Sequence, residues 1–158
     1  MQVAPSTQLK WTIHDLELFP EDSKRYEIIA GELHVTRAPH WQHQKICVAI
    51  AGILHTWSSE TGLGEAAITP GVIFSETDSV IPDVVWVGQT RLAEILDDSG
   101  HLTAAPELVV EVLSQGSQNQ KRDRELKLKL YSNYGVQEYW LVDRFKQQVE
   151  IYRREAAI

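Results

Sequence analysis

The chain holds one cysteine, Cys47, among 158 residues, so an intramolecular disulfide is excluded. At this length a single core buries roughly two thirds of the unfolded surface, and neither a disulfide nor a structural metal is needed for folding. Cys47 falls on the apolar face of a predicted helix and reads as a small core residue in a reducing compartment. No run approaches the roughly 18 apolar residues of a membrane-spanning helix. The start MQVAPSTQLKW lacks the charged and apolar regions of a secretion signal. The expectation is a cytoplasmic protein with no membrane partner. Repeats, linkers and low-complexity tracts are also lacking, so we expect one domain over 1–158 with a core from about 12 to 152. Positive charge is in deficit, 15 Lys and Arg against 22 Asp and Glu, a net charge of -7. That balance disfavours a protein that coats nucleic acid non-specifically, because phosphate backbones attract positive surfaces. It leaves room for a nuclease, since Lys121, Arg122, Arg124, Lys127 and Lys129 form a local basic stretch. A solvated helix face would read the same way for all of these except Lys127.

Two β-branched segments carry a contradiction. PDVVWV (Pro82 to Val87) and ELVVEVLS (Glu107 to Ser114) have the character of central strands, yet each includes a carboxylate, Asp83 and Glu111. A carboxylate beside a buried strand loses hydration and needs a compensating partner, so two on neighbouring strands make a candidate divalent-cation site. A predicted helix from about Gln118 to Tyr134 supplies a cation. At about 100° per residue, Leu126, Leu130 and Tyr134 share a stripe with Asp123 and Lys127 in its middle, which points Lys127 inward.

Along the chain, Thr12 to Phe19 reads as a short helix with Thr12 and Asp15 in capping-box spacing, stopped by Pro20 and lying as a lid on the core. RYEIIAGELHVTRA predicts a hairpin about Ala30 and Gly31. Tyr26 and Ile28 share one face, Glu27 and Ile29 the other, and Glu27 reads as an edge-strand surface residue. From His40 to about Ser59, Ile46, Cys47, Ile50, Ile53, Leu54 and Trp57 recur at helical spacing. His43 lies on that stripe, where a lone histidine reads first as a satisfied core residue. Strands are expected at Glu65 to Ile68 and Gly71 to Phe74, with ETDSVI as a polar turn. A short helix follows at Thr90 to Leu96, then a loop in which Asp97 and Asp98 are solvated. Glu107, at its strand's entrance, is expected to be exposed. VQEYWLVD and VEIYRR predict a closing antiparallel pair. The fold class is α/β (α+β), a mixed sheet flanked by helices.

Phosphodiester hydrolysis needs a metal to polarise the phosphate and activate water, and a group that stabilises charge beside it. Asp83, Glu111 and Lys127 meet that need, although the same three residues could form a structural ion pair. RYEIIAGEL, PDVVWV, ELVVEVLS and DRELKLKLYSNYGVQEYWLVD, in this order, resemble the Uma-type bacterial family of restriction-endonuclease-like proteins in the PD-(D/E)XK nuclease superfamily. The resemblance spans about Thr12 to Tyr152. It implies a restriction-endonuclease-like sheet, DNA as substrate and Mg²⁺ or Mn²⁺ bound by Asp83, Glu111 and the Val112 carbonyl. It also implies supporting places for Glu27, His43, Asp123 and Tyr131, and association as a homodimer. One departure stands out: the superfamily lysine belongs two residues after Glu111, where this chain has Leu113. Lys127, matching the family's helix lysine, is the expected replacement. Two other readings are a nuclease-fold module that binds DNA or protein without cutting, favoured by Leu113 and the acidic balance, and a glycoside hydrolase using Asp83 and Glu111. The second is disfavoured by the scarcity of aromatic residues near both motifs.

Overall fold

Ala30 and Gly31, with φ of 52° and 78°, turn the chain between β1 (Arg25–Ile29) and β2 (Glu32–Thr36). Two successive positive φ angles give the backbone twist of a tight hairpin, and Glu27 pairs with His34 in the resulting register. These coordinates come from a computed structural model that describes residues 8–155. The segment MQVAPST, part of the chain start read for a secretion signal, lies outside the described residues.

The strands divide between two sheets. β4 (Val72–Ser75) and β5 (Asp78–Val80) join the hairpin in the order β2-β1-β5-β4. The second sheet has the order β3-β6-β7-β8-β9, built from β3 (Gly64–Ile68), β6 (Val84–Gly88), β7 (Leu108–Val112), β8 (Glu138–Asp143) and β9 (Gln148–Arg153). Its one parallel pair is β7 and β8, and the other neighbours are antiparallel. The parallel pair requires a crossover. This is supplied by α3 (Ser117–Lys121), a π-helical turn (Arg122–Leu126) and α4 (Lys127–Tyr134), closed by Gly135 at φ 89°. The remaining helices are α1 (Trp41–Thr61) and α2 (Gln89–Ile95).

The two faces of the second sheet are covered differently. On one, Val85, Val109, Leu113 and Leu141 pack with Ile29, Val72 and Val80 of the first sheet and with Leu130 and Tyr131 of α4. On the other, Val84, Val110 and Val112 pack beneath Cys47, Ile46, Ile50 and Leu54 of α1. The site is built at Ile81–Asp83, where the chain leaves β5 in one sheet to enter β6 in the other.

Several expectations are corrected. ETDSVI is not merely a turn: Asp78–Val80 forms β5, paired with β1 on one side and β4 on the other. That strand makes β1 an interior strand, so Glu27 is buried at 1% exposure instead of lying on an edge. Three residues are too few for a period-2 signal, which is why β5 was not visible. The helix near the amino end is a 3₁₀ turn over Ile13–Leu18 with the expected Thr12–Asp15 capping box, but none of its residues is buried, so it is no lid. Ile53 and Trp57, assigned to the buried stripe of α1, are exposed. Glu107 is half-buried and accepts a hydrogen bond from the Gly88 amide at 3.0 Å.

Two glycines separate packing from propensity. A Cβ on Gly64 would lie 2.2 Å from the Val87 carbonyl oxygen and 2.5 Å from the Trp86 ring, whereas one on Gly52 would meet nothing within 4 Å. Gly64→Ala is expected to destabilise by about 1–3 kcal/mol through overpacking. Gly52→Ala, exposed in mid-helix, is expected to stabilise by about 1 kcal/mol. Urea denaturation of the two variants, read by circular dichroism, checks the opposite signs.

Candidate active site

The strand period of two sets Arg25 and Glu27 on one face of β1, and this face looks onto Asp83. Asp83 Oδ1 accepts from Arg25 Nη1 at 3.0 Å, while Oδ2 accepts from the Val112 amide at 2.9 Å and lies 3.2 Å from His43 Nε2. Burial pushes the Asp83 carboxyl up, but His43, Arg25 and the Val112 amide outweigh it and hold the group well below the ordinary carboxylate range. His43 is disfavoured as a cation by burial, yet its bond to Asp83 and the neighbouring Cys47 raise it to about 10. As an imidazolium it donates from Nδ1 to Gln44 Oε1 at 3.0 Å and lies 3.7 Å from Cys47 Sγ. His43 is thus more than a core residue: it anchors Asp83.

Lys127 occupies the centre. The π-helical turn, in which the Lys127 amide bonds back to the Arg122 carbonyl, ends at this residue and delivers it to the interior; such turns recur at functional sites. Nζ donates to Glu111 Oε1 at 2.8 Å and to Glu27 Oε1 at 3.1 Å, with Asp123 Oδ1 at 3.9 Å. The inward direction expected from the helical stripe is observed, with Lys127 1% exposed. Tyr131 OH donates to the same Glu111 oxygen at 2.7 Å, and the Ile81 amide donates to Glu27 Oε1 at 2.8 Å. Glu111 Oε2 has no hydrogen-bond partner among the described residues.

The charges are unequal. One buried ammonium faces Glu27, Glu111 and Asp123, and Asp83 stands beside them. For Lys127, burial alone favours the neutral amine, but the three carboxylates push it well above the ordinary lysine range. Burial would raise Glu27 too, but Lys127 and the Ile81 amide hold it below its ordinary value. Asp123 is raised, chiefly by burial. Glu111 is left over: burial, and the negative charge of Asp83, Asp123 and Glu27, outweigh Lys127 and push it up to about 8. The lysine therefore stays charged while Glu111 keeps its proton. These groups line a small cavity of about 30 Å³, the space of one water or one ion, with Arg122 and Ser114 at its wall.

All the residues expected at the site are thus at this cavity or one contact behind it. His43, Cys47 and Asp83 also bring ligand atoms within 4.8 Å of one another. Arg25, which the period-2 pattern could have flagged beside Glu27, was missed. Of the basic stretch, Lys121 and Lys129 are solvated as expected. Arg122 instead lies 3.3 Å from Asp123 Oδ1, and Arg124 joins Asp143 at 2.9 Å and Glu150, clipping the π-helical turn to β8 and β9. Asp97 closes its own turn, accepting from the amides of Ser99 and His101. Leu113, at the superfamily's lysine position, is fully buried in the apolar core.

A mixed sheet with buried carboxylates at its mouth and a lysine among them is a restriction-endonuclease-like fold. The chain is similar to a solved structure described as a "putative nuclease belonging to DUF820" from Anabaena variabilis ATCC 29413, with a TM-score of 0.74 and 20% identity over 92% of this chain and 81% of that one. The chain belongs to the Uma2 family, described as "Putative restriction endonuclease", whose family model matches residues 12–158. No curated protein matches it. No helix among the described residues is long and apolar enough to cross a membrane.

The raised Glu111 has a thermodynamic consequence. With a folded-state value near 8 against an ordinary 4.5, this group contributes stability that is fully present below about 4.5 and lost as the pH rises through about 8. Asp83, held low, acts in a separate window: its contribution is present above 3.8 and lost only in stronger acid. In EDTA, the melting temperature of the parent is expected to fall relative to that of Glu111→Gln as the pH rises from 5 to 8. Parallel pH profiles for the two proteins, measured by calorimetry, would contradict the raised carboxyl.

Proposed function

We propose that the protein is a divalent-metal-dependent endonuclease hydrolysing DNA phosphodiester bonds, with Asp83, Glu111 and Lys127 at the reaction centre. The observation that carries the reading is the set of four fully buried carboxylates around one ion-sized cavity, where Lys127 and His43 are the cations buried to the same degree and Arg25 and Arg122 are partly exposed. A protein does not keep such an imbalance without a compensating cation or a raised carboxyl, and Glu111 shows the latter. The donors are hard oxygens, which suit Mg²⁺ or Mn²⁺. Asp83, Glu111 and the Val112 carbonyl would hold the ion. The His43, Cys47 and Asp83 set includes a softer thiol ligand, but there the histidine already serves Asp83 as a hydrogen-bond donor.

When bound, the cation supplies Lewis-acid polarisation of a phosphoryl oxygen and lowers the pKa of a water. The chain's own residues do the rest. Arg25 and His43 fix the Asp83 carboxylate from two sides. Tyr131 fixes Glu111 and leaves one of its oxygens free. Lys127 places an ammonium at the cavity wall, where charge builds up on the phosphoryl group. It takes the electrostatic role that Leu113 cannot take from the strand. Glu27 and Asp123 keep that amine charged and aimed.

A non-cutting module of the same fold is the competing reading, favoured by Leu113. Supercoiled plasmid in Mg²⁺ or Mn²⁺ separates them. The parent is expected to nick and linearise it, and EDTA to stop the reaction. Asp83→Asn and Glu111→Gln are expected to abolish cleavage, and Lys127→Met to slow it by about a hundredfold or more, while the variants remain folded by circular dichroism. Cutting by Lys127→Met at the parent's rate would remove the helix lysine from the mechanism, and no cutting by a folded parent with either metal would favour the module.

A further inference from the structure

A second cleft, of about 310 Å³, opens beside the carboxylate cavity. It lies between the segment joining β2 to α1 and the loop following β7, and the two cavities share Thr36, Arg37, Pro39, His43 and Ser114 as walls. They are therefore contiguous. In a chain with a net charge of -7, the lining of this cleft holds no carboxylate and two arginines, Arg37 and Arg144.

Those two arginines are unlike the others. Among the described residues, Arg25, Arg91, Arg122, Arg124, Arg153 and Arg154 all bond to a carboxylate or a carbonyl oxygen. Arg37, which is exposed, and Arg144, which is half-buried, have no such partner among the described residues, and Arg144 Nε is buried without one. A buried donor without an acceptor is costly and calls for a ligand. The Arg144 guanidinium lies 4.3 Å from the centre of the Phe145 ring, a cation–π contact that leaves its N–H donors free for a ligand. The amino end of α1 lines the same cleft through His40, which caps it, and His43 in its first turn, and the amino end of a long helix favours negative charge. A planar fork with free donors matches the paired oxygens of a carboxylate or a phosphate, and phosphate is the anion that the proposed substrate carries.

We propose that this cleft is the subsite for a backbone phosphate neighbouring the one that is cut, with Arg37 and Arg144 as its ligands. The proposal rests on the nuclease reading and adds to it the means by which an acidic protein holds a polyanion. The carboxylate cluster repels DNA, and the arginine cleft next to it offsets that repulsion and sets where the strand lies.

The test is binding of a short labelled DNA duplex to the full chain in EDTA over a range of salt concentrations, paired with cleavage of the same duplex in Mg²⁺. Arg37→Ala and Arg144→Ala are each expected to weaken binding about tenfold, as loss of a hydrogen bond to a charged group implies. Each is expected to lower the slope of log affinity against log salt by about one, and to raise KM more than it lowers kcat. Arg144→Lys keeps the charge, loses the fork and should fall between. Arg153→Ala removes an equal charge from β9, away from the cleft, and should bind like the parent. Parent-like affinity and salt slope in both alanine variants, with a parent that binds and cuts, would overturn the subsite and leave the nuclease reading intact. A parent that neither binds nor cuts would overturn both.

Discussion

The structure depends on one buried amine. Lys127 Nζ sits between Glu27 and Glu111, with Asp123 a little farther away, and so connects β1, β7 and the crossover helix at a single point. Each of these carboxylates would be intolerable alone in a site this dry, and the ammonium, with Arg122 beside Asp123, still falls one charge short of the three. The residual imbalance falls chiefly on Glu111, pushed up to about 8, with Asp123 raised as well. Removing the lysine without replacing its charge would leave the acids uncompensated, and the amine proposed to serve the chemistry also joins three elements.

The remaining architecture sets this contact up. Asp83 lies where the chain passes from one sheet to the other, and its oxygens are taken by a strand arginine, a helix histidine and the Val112 amide. Three separate elements thereby fix one carboxylate. The π-helical turn ends at Lys127 and brings it and Asp123 to the interior side of the crossover. Leu113 fills the apolar core at the place where the family resemblance implies a strand lysine. In the proposed reading the amine arrives from α4 instead of β7.

Legibility followed the length of each pattern. The stripe of Leu126, Leu130 and Tyr134 is long enough to show Lys127 facing inward, although Tyr134, at its end, is exposed. The β8 and β9 pair, the hairpin at Ala30 and Gly31, and the Thr12 capping box were equally plain, since each has a local signature. Burial of Glu27 was not legible, because it depends on β5, a three-residue strand that reads as a polar turn. Likewise, nothing local in the sequence reveals that Arg124 finds acids while Arg37 and Arg144 do not. That difference comes only from tertiary placement: Asp143 and Glu150 reach Arg124 from strands formed later in the chain.

The central claim is that Asp83 and Glu111 together hold a divalent cation. Anomalous diffraction from a crystal soaked in Mn²⁺ tests it most directly. The account predicts a single peak within coordinating distance of both carboxylates, with the Lys127 amine still lining the cavity. A peak at His43 and Cys47 alone, or none near Asp83 and Glu111 in a crystal that binds manganese elsewhere, would contradict it.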